Sequence, residues 1–479
     1  MPTKLVRFTA ILLLVMITLL FQNCRDENLI TDPNYKLEFS SDTLSFDTVF
    51  TTRGSVTKSI RVFNREKRPV RISTISLAKS SGDQFRLNVD GIPGTDFSDI
   101  EIPAQDSIWV FVEVTVDPMD IDNPFVIDDL INFTTNGNEQ HISLRAWGQD
   151  AYFYVGQEIC NETWTKDRPY VIVGTNSFPG IHVDTNCVLT IEAGTRIFLH
   201  DNAGIFVSGS LQVMGTQTDT VVFEGDRLES FFDDLPSQWF GIFFMRGSVG
   251  NDINYAVINE ADYGISAGSS FDSDPSAFSN ASRPVVNINN TIIKNSQVNS
   301  IFGFNAEIQA VNCLSYNTND NLLALGLGGS YEFVNCTFVN TGSVVFDHKN
   351  PILLLGNAAE FPNVLLVNDL EKANFQNCIF FGSLDEELSF GKLDDADFIF
   401  SFESCMLTTF ADTVPEFSSN NIINQNPDFV SISDEDFHLT QFSPAVDAGT
   451  NPVVPISTDL DGKTRISGAA IDIGAYEFN

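Results

Sequence analysis

Five histidines, His141, His182, His200, His348 and His438, are the side chains best placed by type to move a proton near neutral pH, and they are scattered along the chain. Only Asp347-His348-Lys349 sets an acid-like and a base-like group side by side, and one tripeptide in a polar stretch is not a constellation. Abstraction of a proton beside a uronate carboxylate needs a Lys or Arg base with a cation neutralising the acid, whereas glycoside hydrolysis needs two closely placed carboxylates. Neither set is recognisable, so no residue is assigned a catalytic role. Clustered oxygen ligands for calcium are offered by residues 383–397 and, more weakly, by Asp459, Asp461 and Glu477. The first lacks the ordered spacing of a calcium loop and reads better as a solvated acidic excursion, and Asp459-Leu-Asp-Gly462 is equally a turn. No cofactor is implied beyond that calcium. Exposed aromatics that could stack on a ligand are Phe231, Phe232, Trp239 and Phe240, in and beside an acidic loop at 229–241.

The elements that must carry these side chains are short strands. Val188-Leu-Thr-Ile-Glu-Ala-Gly-Thr195, Ile205-Phe-Val-Ser-Gly-Ser-Leu-Gln-Val-Met-Gly215 and Val221-Val-Phe-Glu-Gly225 are alternating runs stopped by glycine, with too little chain between them for crossover helices. Strands with glycine corners and no helices predict a right-handed parallel β-helix, each turn stacking on the one before. Asn290-Thr-Ile-Ile293, Asn312-Cys-Leu-Ser315, Asn335-Cys-Thr-Phe338, Asn377-Cys-Ile-Phe380 and Ser404-Cys-Met-Leu407 repeat one pattern at steps of 22, 23, 42 and 27 residues. The 42 is close to two turns, so the period is one coil. At each corner an Asn could bond to the Asn of the next coil while the cysteine and the apolar residues stack inside.

Cys313, Cys336, Cys378 and Cys405 are therefore expected as buried thiols. A zinc site is disfavoured because no paired Cys-x-x-Cys or adjacent His accompanies them. Cys160 and Cys187 flank the first coil and could meet across adjacent turns as a disulfide, which an exported chain permits. The 42 phenylalanines suit a stacked interior, and a net charge of -37 repels nucleic acid and other polyanions, so neither is an expected partner.

Residues 160–244 resemble the opening of the right-handed parallel β-helix (pectate-lyase-like) proteins of Bacteroidetes surfaces. The resemblance rests on Trp164, Arg168-Pro-Tyr-Val-Ile172, Leu189-Thr-Ile-Glu-Ala-Gly-Thr195, Gly204-Ile-Phe-Val207, Gly215-Thr216, Val222-Phe-Glu-Gly-Asp-Arg227 and Gln238-Trp239. It implies an architecture and little chemistry, since lyases, hydrolases, adhesins and spacers share the fold. The paired aspartates with Gly-His-Gly and Arg-Ile-Lys of polygalacturonases are missing.

Residues 1–24 read as a lipoprotein signal: Lys4 and Arg7, an apolar run of 14 residues, then Cys24 as the lipidation site. Phe21-Gln-Asn23 stands where small residues are usual, and Arg25-Asp-Glu27 resembles a surface-export signal of Bacteroidetes lipoproteins. A lipid on Cys24 would anchor the chain to the outer membrane, on the cell-surface side. Residues 28–150 alternate as antiparallel strands with tight turns and predict an Ig-like β-sandwich, similar to the ASH-type modules that precede surface β-helices. The β-helix is expected over 151–425. Residues 426–479 look like the C-terminal motif of bacterial β-helix proteins, with Ser443-Pro-Ala-Val-Asp-Ala-Gly-Thr450 and Asp472-Ile-Gly-Ala-Tyr-Glu477, and are expected to cap the open strand edge. The functional expectation is a surface lipoprotein that binds glycan, adheres or displays, with a polysaccharide or a surface protein as partner. The alternative is a polysaccharide lyase or glycoside hydrolase acting in the β-helix groove.

Overall fold

The computed structural model describes residues 28–51, 54–117, 125–268, 283–361, 364–410, 420–452 and 456–478. The leader and Cys24 lie outside the described residues. Every regular element described is a strand, and among the described residues no helix is long and apolar enough to cross a membrane. The chain divides into two compact units, Met1–Asp150 and Ala151–Asn479.

The first unit is a β-sandwich of two five-stranded sheets. Period-two alternation decides which side of each strand is buried. In Asp106–Val114, Ile108, Val110, Val112 and Val114 are 0–4% exposed, while Trp109 and Phe111 point outward. The outward aromatics are not orphans: the Arg61 guanidinium lies 5.0 Å from the Trp109 ring, within cation–π reach. Pairing is antiparallel except where Thr43–Phe50 runs parallel to Asn138–Gln149.

The second unit is a parallel β-helix with three faces. Its interior is built from columns of like residues in register. On the first face Ile181, Ile205, Ile242, Ile265, Ile301, Leu323, Leu353 and Leu388 follow one another, all 0–3% exposed. On the second, Ile191, Val213, Ile253, Ile288 and Ala310 give way to Phe333, Phe375 and Phe402. Those last three rings stack at 5.3 and 4.8 Å with interplanar angles of 12° and 13°. Each such pair contributes about 0.5–1.5 kcal/mol beyond its buried area.

The turn from the second face to the third is made by one residue in the left-handed region. Asn290, Asn312, Asn335, Asn377 and Ser404 have φ between 50° and 54°. Asparagine tolerates this conformation better than other side chains that carry a Cβ, because its amide bonds locally. Here the amides also bond between coils: Asn312 Nδ2 donates to Asn290 Oδ1 at 3.1 Å and Asn377 Nδ2 to Asn335 Oδ1 at 3.3 Å. Cys313, Cys336, Cys378 and Cys405, one residue further on, are buried free thiols. Cys160 and Cys187 are joined as a disulfide at the first coil.

The tail packs laterally on the coil. Its contacts run along the outside of the third face. Phe437, Leu439, Ala445, Leu460, Ile473, Ala475 and Tyr476 cover Leu314, Tyr316, Val339, Ile379 and Met406, the outward column of that face. Asn335 Nδ2 donates to the carbonyls of Asp472 and Gly474, and Asn377 Nδ2 to that of Thr450. The physical reason is that these strands are apolar on both sides, and their outer side must also be removed from water.

Candidate functional site

The outer side of the first face carries an apolar strip. In register, His182, Phe206, Phe243, Ser266 and Phe302 lie on the outer side of successive coils, with Phe243 and Ser266 covered by their neighbours and only 1% exposed. At a strand spacing of about 4.8 Å they extend over about 20 Å. Phe240 and Tyr263 broaden the strip, with Phe240 4.6 Å from Phe243 and Tyr263 5.8 Å from Phe243. Phe206 and Phe243 lie nearly parallel at 5.3 Å, so these two rings turn much of their surface to each other. Phe206, Phe240, Tyr263 and Phe302 are half-buried, presenting apolar surface without a fully open ring face. At the far end Phe304 is covered by the hairpin of Ala358–Phe361 and Val364–Val367.

Carboxylates follow one edge of the strip. Burial pushes the Asp262 carboxyl above the ordinary range, a hydrogen bond from Ser237 opposes this, and the charge of Asp201 adds to it. Burial likewise raises the Tyr263 phenol, with Asp262 and Asp320 contributing in the same direction. Asp201, Asp262, Asp320 and the Tyr263 hydroxyl therefore set hydrogen-bonding groups beside apolar surface, the combination a polyhydroxylated ligand requires.

The four aromatics singled out by sequence do not form one platform. Trp239 is 1% exposed and its indole N–H donates to the Asn259 carbonyl at 2.7 Å, so it is a core residue and offers no stacking face. Phe231 is 77% exposed and meets Phe232 edge-on, with the Arg227 guanidinium 4.0 Å from the Phe232 ring. Their loop is held to the third face by Asp234, which bonds Lys294 Nζ at 2.9 Å and Asn295 Nδ2 at 2.8 Å. Only Phe240 belongs to the strip. Phe206, Phe243, Tyr263 and Phe302 were missed, although their alternation with Ile205, Ile242 and Ile301 was the signal that could have found them.

The suggested calcium ligands are also dispersed. Asp459 accepts the amides of Lys463 and Glu477 at 2.7 and 2.9 Å. Asp461 faces His438 Nε2 at 2.8 Å and Lys463 Nζ at 3.3 Å. Glu477 lies 3.6 Å from the buried Arg465, and its carboxyl is pushed up to about 7 by burial and by Asp472. Each is occupied with holding the tail together. Among the described residues no group of three His, Cys, Asp or Glu side chains is arranged to hold a metal ion.

No family model matches the chain, and no curated protein does. Solved structures similar to parts of it include a family 123 glycoside hydrolase from Clostridium perfringens, at 9% identity and a TM-score of 0.18 over 24% of this chain and 26% of that one. A Porphyromonas gingivalis protein of unknown function is similar at 12% identity and a TM-score of 0.17, over 26% of this chain and 60% of that one. The catalytic domain of a GH87 α-1,3-glucanase is similar at 10% identity and a TM-score of 0.22, over 78% of this chain and 92% of that one. The chain spans about a quarter of the length of the first of these. At these values none assigns an activity.

Proposed function

We propose that the chain is a surface lipoprotein, anchored through Cys24 to the outer membrane, whose β-helix binds extended neutral glycans without cleaving them. The sandwich, read as an Ig-like module, serves as its spacer. The observation that supports binding is the strip of half-buried rings Phe206, Phe240, Tyr263 and Phe302, packed over the buried Phe243 and edged by Asp201, Asp262 and Asp320. Apolar C–H faces of sugars pack on half-buried aromatic surface while hydroxyls donate to carboxylates. A polyanionic glycan is disfavoured at a chain of net charge -37.

A panel of neutral and acidic polysaccharides, with and without calcium, tests this by recording binding, reducing-sugar release and absorbance at 235 nm. Binding without products, weakened at least about tenfold by Tyr263→Ser or Phe206→Ser, supports the reading; a tenfold loss corresponds to about 1.4 kcal/mol. No binding to any member, or binding that ignores both substitutions, rejects it.

A further inference from the structure

The loop at 341–350 and the turn at 382–387 bring together three groups, one from the first segment and two from the second. Asp347 and Lys349 pair with each other at the surface, while the His348 side chain between them turns inward and is 1% exposed. Its Nδ1 lies 3.0 Å from Ser383 Oγ. Its Nε2 lies 3.2 Å from Glu387 Oε2, off the direction of a full hydrogen bond. Glu387 is itself fully buried, and its carboxylate accepts the amides of Leu384 at 2.9 Å and Ile352 at 3.1 Å. That position depends on Gly382, because a Cβ there would fall 2.0 Å from Glu387 Oε1.

The serine, by contrast, is exposed. Its neighbours Gly382 and Asp385 line a groove of about 360 Å³ with Thr408, Phe410 and Asn424. Phe410 is 69% exposed, and Asp385 is the only charged residue of the lining among the described residues. An exposed hydroxyl on a buried imidazole, with a buried carboxylate behind it, is the arrangement of nucleophile, base and orienting group. Alignment at the base tightens when substrate binds, so the off-axis contact in the free protein is no obstacle.

We propose that Ser383, His348 and Glu387 form an acyl-transfer site that hydrolyses small neutral carboxylic esters, an O-acylated polyol or sugar being the class that suits the polar, weakly charged groove. Ser383 Oγ attacks the ester carbonyl carbon as its proton passes to His348 Nδ1. The C–O bond to the alcohol breaks and the proton leaves with the alcohol. Water, deprotonated by the same nitrogen, then attacks the acyl-serine and releases the carboxylic acid, restoring Ser383. Glu387 is a positioning residue: it holds the tautomer protonated at Nε2 and balances the imidazolium.

This site is independent of the aromatic strip. The test is the full chain, purified in detergent, with p-nitrophenyl acetate and a fluorophosphonate. The expected results are a single adduct on the peptide carrying Ser383 and turnover that falls at least about 100-fold in Ser383→Ala and His348→Gln. Glu387→Gln should lower kcat with little change in KM. Ser383 is exposed, so Ser383→Ala should keep the wild-type melting temperature and remains decisive where a variant at the buried positions fails to fold. Wild-type turnover no faster than that of Ser383→Ala, or adducts spread over other residues and absent from Ser383, would overturn the proposal.

Discussion

Glu260 should make the β-helix more stable at pH 5 than at pH 7.5. The side chain is 6% exposed at the base of the 229–241 loop, where its carboxylate accepts the amides of Asp234 at 3.0 Å and Gly225 at 3.2 Å and the Asn259 side-chain amide at 3.1 Å. Burial pushes its carboxyl up from 4.5 to about 7, against the pull of the two backbone donors and with the help of Glu224 and Asp234. Between those two values the folded state holds a proton that the unfolded state has released. The stabilisation is therefore fully present below pH 4.5 and lost as pH rises through 7. Going from pH 7.5 to pH 5 restores about 2 kcal/mol. With an unfolding entropy of about 2.1 cal/mol/K per residue over the second unit, that is about 3 °C in Tm. Calorimetry of wild type and Glu260→Gln at both pH values isolates the effect, because the relief of general charge repulsion and the similar contribution of Glu477 are common to the two proteins. The wild type should gain about 3 °C more than the variant on acidification. Equal gains, or a larger gain in the variant, would show that the three hydrogen bonds outweigh burial and keep the carboxyl ionised, refuting the reasoning.

Asn312 carries both a strained backbone and a polar cluster: its φ is 53°, its Nδ2 donates to the Thr458 carbonyl, and its Oδ1 accepts from the buried Arg465 at 2.6 Å. Asn312→Gly and Asn312→Ala should both destabilise by denaturant titration, and the alanine by about 1–2 kcal/mol more, since only glycine relieves the left-handed backbone. Equal losses would mean that the side-chain bonds alone matter. Ile473, fully buried against the third face, should cost about 2–4 kcal/mol as Ile473→Ala and expose the tail to proteolysis within 426–478 before the coil is cut. Cleavage that begins in the coil would show that the tail does not depend on this lateral docking.

The coil was legible because its signals are local. Strand alternation in 188–225 and the Asn-Cys corners each report a one-residue or two-residue pattern that the fold repeats. Where the reading failed, a non-local fact intervened. Trp239 and Ile242 both point inward although they are three apart, which strict alternation forbids. Gly241, at φ 138°, lies between the two phases, and nothing in Gln238-Trp-Phe-Gly241 announces the change. With Trp239 assigned to the wrong side, the strip it was meant to belong to went unseen. The lateral packing of the tail was not legible for a related reason. Leu314, Tyr316, Val339 and Ile379 show that the third face is apolar outside as well as in, but a strand pattern does not say what covers its outer side. His348 was noticed for its neighbours Asp347 and Lys349, which turned out to pair with each other. Its partners are 35 and 39 residues away in the segment read only as acidic, and the one local trace of their meeting is the absent Cβ of Gly382. In a solenoid, neighbours in space are a coil apart in sequence, so a site built across coils leaves no contiguous motif, and its members become visible only when the turns between them are in place.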